Sequence, residues 1–179
     1  MLLDLNRLHG GRERVQRTLP PSVFDPPDEQ YRLVDPIELS MEVRKAGEGV
    51  FTVAGWFRTL LELDCSRCVE PFLVPVEASF DLRYLPQAAN AGEGEREVGE
   101  EDLATAYYRD GVLDVVELLR EQLQLALPMK PLHDESCRGL CPVCGGNLNR
   151  TDCGHSPKWE DPRLAALKGL LTRDREKEN

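Results

Sequence analysis

Six cysteines carry the most chemical information in this chain, and they fall into two groups: Cys65 and Cys68, then Cys137, Cys141, Cys144 and Cys153. The heart of the second group is Cys141-Pro-Val-Cys144-Gly145. A two-residue gap lets both thiolates point at one ion, and a glycine after the second cysteine permits the left-handed backbone that turns amide groups toward sulfur. Cys137, Cys141, Cys144 and Cys153 are therefore the expected ligands of a structural Zn²⁺ in a zinc-knuckle segment, with His155 able to replace one of them. Four protein ligands leave no open position for a reacting water, which argues against hydrolytic metal catalysis. A zinc ion with four thiolates has a net charge of about −2, so Arg138, Arg150 and Lys158 would offset it and also offer contacts to an RNA or protein partner.

The pair Cys65 and Cys68 supports three readings. It can be a redox dithiol, although such centres usually sit at a helix N-terminus, and here strands are expected on both sides. It can join Cys141 and Cys144 in a ribbon-like site, which leaves Cys137 and Cys153 over. The local four-cysteine site is favoured over that ribbon because it closes a shorter loop, and Cys65 and Cys68 then stabilise a turn.

Residues that must position these thiols show clear periodicity. Ile37, Leu39, Met41 and Val43 alternate, Gly47-Glu48-Gly49 offers a turn, and Phe51, Val53, Phe57, Leu61 and Leu63 resume the period. A third antiparallel strand is expected from Val74 to Tyr84, with weaker strand signals near Arg14–Leu19 and Tyr31–Val34. Asp114 can cap a helix whose apolar stripe is Val116, Leu119, Leu123, Ala126 and Leu127, ending at Pro128. Residues 86–102 read as an acidic loop, and a short terminal helix is expected from Pro162 to Leu171. The expected fold is α+β: an antiparallel β-sheet covered by a helix in residues 1–128, then a cysteine-rich zinc-knuckle segment and terminal helix in 129–179.

The whole chain has 179 residues and a formal charge of −10. Residues 1–128 hold 13 basic and 24 acidic side chains, against 9 and 8 in residues 129–179. Such a field repels phosphate, so any RNA contact has to be local. No apolar run approaches a membrane span of ~20 residues. The opening Met1-Leu-Leu-Asp-Leu lacks the pattern of a secretory signal, which gives a cytoplasmic reading and favours metal over disulfide at the cysteines. His9 and His133 read as surface or turn histidines. Arg7, Arg12, Arg14 and Arg17 read as a charged strand edge before a phosphate-contacting arm. For Trp56 and Trp159, core or interface burial is favoured over base stacking, because isolated aromatics lack the paired platform of a single-strand RNA binder.

Ordered along the chain are Asp64-Cys-Ser-Arg-Cys-Val-Glu-Pro-Phe72, Leu118-Leu-Arg-Glu-Gln122, Leu125-Ala-Leu-Pro-Met-Lys-Pro-Leu132, Gly139-Leu-Cys-Pro-Val-Cys-Gly145, Asn147-Leu-Asn149 and Asp161-Pro-Arg-Leu-Ala-Ala-Leu167. Together they resemble the YceD family, the large ribosomal RNA subunit accumulation proteins, over roughly residues 40–171. The resemblance implies a bacterial or plastid factor for accumulation of large-subunit (23S) ribosomal RNA, with no assigned catalysis. Its implied partners are that RNA, a pre-ribosomal particle or basic ribosomal proteins. Two alternatives remain open: a thiol-redox or metal-regulated switch at Cys65 and Cys68, and a protein-only transcription or assembly adaptor.

Overall fold

The computed structural model describes residues 1–25, 27–89, 99 and 103–155. Eight strands occur among them: β1 (Leu2–Asp4), β2 (Arg12–Leu19), β3 (Arg32–Leu33), β4 (Ile37–Gly47), β5 (Val50–Asp64), β6 (Pro71–Pro86), β7 (Thr105–Tyr108) and β8 (Val112–Asp114). One α-helix follows, α1 (Val115–Ala126). The described chain divides into two compact units. The first combines Met1–Ser66 with Glu70–Glu135, and the second combines Arg67–Val69 with the segment beginning at Ser136.

In the first unit, β2, β4, β5, β6 and β7 form the main sheet in that order, and β3 adds to β5. Neighbours are antiparallel except β6 and β7, which run parallel, and β1 pairs with β8 in a separate two-stranded ribbon. The backbone of β5 is bonded on both sides: Leu39 faces Phe57 on β4, and Phe57 faces Ala78 on β6. Strand geometry sends alternate side chains to opposite faces. One face therefore collects Ile37, Leu39, Met41 and Val43 of β4, Phe51, Val53, Phe57 and Leu61 of β5, and Val76, Phe80 and Tyr84 of β6, all buried.

The helix is part of that core through Val115, Leu118, Leu119 and Leu123, while Val116, Ala126 and Leu127 are partly buried against it. The stripe is thus centred on Leu119 and Leu123, as the sequence periodicity indicates, but rotated to take in Val115 and Leu118. Asp114 starts the helix: its Oδ1 accepts from the backbone N–H of Val116 at 2.9 Å and of Glu117 at 3.4 Å. The residue serves two elements at once, because it also pairs with Leu2 in the ribbon.

Close approach of β4 and β5 depends on one residue. A Cβ placed on Gly55 would meet the Ser40 carbonyl oxygen at 2.5 Å and the Met41 Cβ at 2.6 Å, so the paired strands leave no room for a side chain there. The expected α+β architecture is the one observed, with the parallel β6–β7 edge added to it. Most of the acidic 86–102 stretch and all of the 162–171 helix lie outside the described residues.

Asp114→Ala should lower unfolding stability by about 1 kcal/mol, the usual worth of an N-cap. Gly55→Ala, which forces two strands apart, should cost about 1–3 kcal/mol. Urea unfolding followed by circular dichroism measures both, and a neutral Gly55→Ala variant would contradict the close approach.

Candidate metal centre

The described residues of the second unit include few large apolar side chains and are held by a dense set of backbone and Asn contacts. Cys141 N donates to Gly146 O and Gly145 N donates back to Cys141 O, each at 2.8 Å, so Cys141-Pro-Val-Cys144-Gly145-Gly146 closes on itself. Gly145 has φ +72, the left-handed conformation expected after the second cysteine of a knuckle. Gly139, at φ +73, comes so close to Arg67 that a Cβ would lie 3.0 Å from the Arg67 carbonyl. That carbonyl accepts from Leu140 N at 3.0 Å, and the Arg67 Nη1 donates to Cys137 O at 2.9 Å.

Two asparagines act as rivets beneath the loop. Asn147 Oδ1 accepts from Asn149 N and Nδ2, both at 2.9 Å, and Asn149 Oδ1 accepts from Arg138 N at 2.7 Å. Asn149 Nδ2 also donates to Cys137 Sγ at 3.3 Å. The Asn147-Leu-Asn149 triplet is therefore a device that fixes the loop carrying the thiols.

Cys141, Cys144, Cys153 and His155 converge, with one ligand atom from each lying within 4.8 Å of all the others. Around a tetrahedral zinc, thiolate sulfurs at ~2.3 Å from the metal are about 3.8 Å from one another. A small inward adjustment suffices. Cys141 Sγ and His155 Nδ1 are already 3.8 Å apart, and Gly154, at φ +66, gives the tight bend that brings His155 back two residues after Cys153. These residues can hold a metal ion. Cys141 is buried, Cys153 half-buried, and Cys144 and His155 exposed, so the cluster opens to solvent on one side.

Electrostatics agree with a cation-binding role. The backbone N–H groups of Cys144 and Val143 point at Cys141 Sγ and hold its thiol down to about 6. At Cys153 the amide of His155 pulls the same way, but the hydrogen bond to Cys141 together with burial leaves the pKa raised. Closely spaced thiols compete for one negative charge, and a divalent cation removes the competition by stabilising every thiolate at once.

Of the four cysteines expected from spacing, the structure thus brings three together and adds His155, while Cys137 is placed elsewhere. Cys137 is buried in the second unit with its sulfur within 4.8 Å of that of Cys68. In the first unit, Cys65 is buried, and a His133 ring nitrogen lies within 4.8 Å of its sulfur. Ser66 N donates to Pro131 O at 2.8 Å, and the His133 ring meets Phe72 edge-on at 6.4 Å, so the 131–133 segment is tied to the end of β5. His133 is exposed on a bend, as a surface or turn histidine is expected to be, and has Phe72 and the Cys65 sulfur as neighbours. The 65–68 turn leads into β6, not into a helix, which removes the dipole that activates a redox dithiol. Val69, at φ +58, adopts a conformation that a β-branched residue rarely takes.

Arg138 and Arg150 are exposed beside the cluster, and Arg138 approaches Asp152 at 3.8 Å. Lys158 and Trp159 lie outside the described residues.

Residues 53–171 match the profile of the family described as large ribosomal RNA subunit accumulation protein YceD, a stretch that takes in all six cysteines. The chain belongs to the YceD family. A maize relative, large ribosomal RNA subunit accumulation protein YCED homolog 1, chloroplastic, is 28% identical over 159 residues, covering 76% of this chain and 54% of the relative. The Arabidopsis thaliana protein of the same name is 22% identical over 164 residues, covering 80% and 51%. An uncharacterised Mycobacterium tuberculosis protein is 29% identical over 137 residues, covering 75% and 62%. The chain therefore spans between about half and three-fifths of these relatives. No solved structure matches it. Within the YceD family profile, then, lies a loop whose thiols and imidazole are arranged for metal.

His155→Ala and Cys144→Ala should each lower the affinity for Co²⁺ at least tenfold, read from the thiolate absorption of the Co²⁺ protein in competition with a chromophoric chelator. Unchanged affinity in His155→Ala would remove the imidazole from the ligand set.

Proposed function

We propose that this chain is a non-catalytic factor supporting synthesis, stability or accumulation of large-subunit (23S) ribosomal RNA in the bacterial cytoplasm, and that its cysteine loop is ordered by zinc. The observation that carries this reading is the family match over residues 53–171. The names of the maize and Arabidopsis relatives describe those chloroplastic proteins as large ribosomal RNA subunit accumulation proteins. Among the described residues no helix is long and apolar enough to cross a membrane.

Chemistry of the loop supports a binding role over a catalytic one. Three thiolates and an imidazole satisfy the tetrahedral preference of Zn²⁺, which then has no open position for water or substrate. Bound zinc supplies folding energy to a segment with little core of its own, since structural sites have apparent binding energies of ~10–16 kcal/mol. Cys141, Cys144, Cys153 and His155 would hold the ion, the Cys144 and Val143 amides would stabilise the Cys141 thiolate, and the Asn147 and Asn149 rivets would keep the loop in shape. Arg138 and Arg150 then present positive charge to a pre-ribosomal particle, Lys158 adds a further cation from the sequence, and the acidic body engages basic ribosomal proteins or, outside local basic patches, stays clear of RNA.

Two measurements test the reading. Cells lacking the protein should show a reduced ratio of 23S to 16S RNA, and a normal ratio would end the functional proposal. Charge reversal at Arg138, Arg150 and Lys158 should release the protein from large-subunit precursors on sucrose gradients, whereas undiminished co-sedimentation would exclude that contact surface.

A further inference from the structure

The face of the main sheet opposite the core is open among the described residues. Trp56 belongs to it, 40% exposed, so of the core or interface burial favoured from the sequence the core is excluded. The strand registers bring Arg14 and Glu42 beside Ala54, and Gln16 and Ser40 beside Trp56, on three adjacent strands. Successive rows along a strand are separated by about 6.6–6.8 Å.

In the row next to Trp56 and at its border, three arginines surround one carboxylate. Arg12 Nε lies 2.6 Å from Glu42 Oε1, Arg44 Nη2 2.9 Å from Oε2, and Arg14 Nε 3.9 Å from Oε2. Glu42 can neutralise only one of the three. Its own carboxyl is held below the usual range, first by the Arg44 hydrogen bond, so it stays ionised and the excess is two positive charges. The arginines remain 54–70% exposed.

Between this cluster and the indole is a hollow of about 240 Å³ lined by Arg14, Gln16, Ser40, Glu42, Ala54 and Trp56. It exists because Ala54 raises almost nothing above the sheet on this face. It falls below the ~300–1,000 Å³ of clefts that enclose a drug-sized ligand, and it is open along its length. On the far side of Trp56, Arg58 holds its guanidinium 5.9 Å from the ring centroid and is matched by Glu38 at 2.6 Å.

We infer that this face binds a short single-stranded RNA segment, with a base stacked on Trp56 and the adjoining phosphate on Arg12, Arg14 and Arg44. Aromatic stacking combined with a basic track is how single strands are held without a deep pocket. Arg14 stands one row from Trp56, and Arg12 and Arg44 stand two rows away but extend to Glu42 in the intervening row, within reach of the phosphates that follow a stacked base. Gln16 and Ser40 supply side-chain hydrogen-bonding groups at the edge of the stacked base. The acidic remainder of the unit confines the contact to this patch, because phosphates beyond it meet negative charge. The inference rests on the ribosomal RNA reading for its biological setting and on the sheet geometry for its chemistry.

Binding of the full chain to a fluorescein-labelled single-stranded RNA of about twelve nucleotides, followed by anisotropy, tests it. Affinity should fall about tenfold or more in Trp56→Ala and recover most of its value in Trp56→Phe. Arg14→Ala and Arg44→Ala should each weaken binding and flatten its salt dependence. With two uncompensated charges, log Kd against log salt should have a slope of roughly 1.4, and each arginine lost should reduce it by roughly 0.7. A duplex of the same sequence should bind more weakly.

No binding by the wild-type chain at low salt, equal binding of the duplex, or indifference of a folded Trp56→Ala protein would each overturn the assignment. Loss of particle association in Trp56→Ala without any oligonucleotide binding would also overturn it, in favour of a protein docked on this face. If oligonucleotide binding shows the expected dependences while cells lacking the protein keep a normal 23S to 16S ratio, the surface stands and the functional reading falls.

Discussion

Alternation along β4, β5 and β6 is the constraint on which the first unit depends. Three long strands each send one set of side chains into a common core with α1, and a one-residue slip in any of them would exchange the buried and open faces. Phe57, Leu61, Val43 and Val53 are completely buried, so the register is fixed by groups for which no other arrangement is comparably favourable. Everything on the opposite face is positioned by the same commitment. Trp56 is exposed because Phe57 is not, and Arg14 stands beside Glu42 because Val15 has Met41 as its partner.

The second unit is built on another principle. Its described residues use reciprocal hydrogen bonds, glycines with positive φ and the two asparagines to bring sulfur and imidazole together. Small polar loops cannot offset the entropy of ordering by apolar burial alone. Thiolates gathered within 4.8 Å of an imidazole provide the alternative, because a single cation can connect four separate points of the chain. Specific shape is thereby obtained from coordination chemistry where apolar volume is lacking.

Much of the sheet was legible in the sequence. Ile37 to Val43 and Phe51 to Leu63 alternate so regularly that strand, turn and core face could all be read, and Asp114 announced the helix. The helix stripe was less legible, since Val115, Val116, Leu118 and Leu119 are all apolar and only the packed sheet decides which turn inward. For the metal centre, Cys-Pro-Val-Cys-Gly located the loop but spacing could not separate Cys137 from His155. Sequence distance favours neither, whereas the Asn149 contact holds Cys137 and the Gly154 bend delivers His155. Alternation places Trp56 on the face opposite Phe57, but its 40% exposure emerges only once the strands are assembled. The guanidinium cluster beside it depends on strand pairing, which brings Arg12, Arg14 and Arg44 to Glu42 from two different strands.

The hydrogen bond between Arg67 and Cys137 joins points 70 residues apart in the chain. On a translating ribosome, which adds ~5–20 residues per second, the interval between synthesis of the two partners is roughly 4–14 s. The β5–β6 hairpin is complete well before its tip acquires that partner, so for some seconds of every synthesis the nascent protein presents the Arg67 guanidinium to the cell without the Cys137 carbonyl it later bonds.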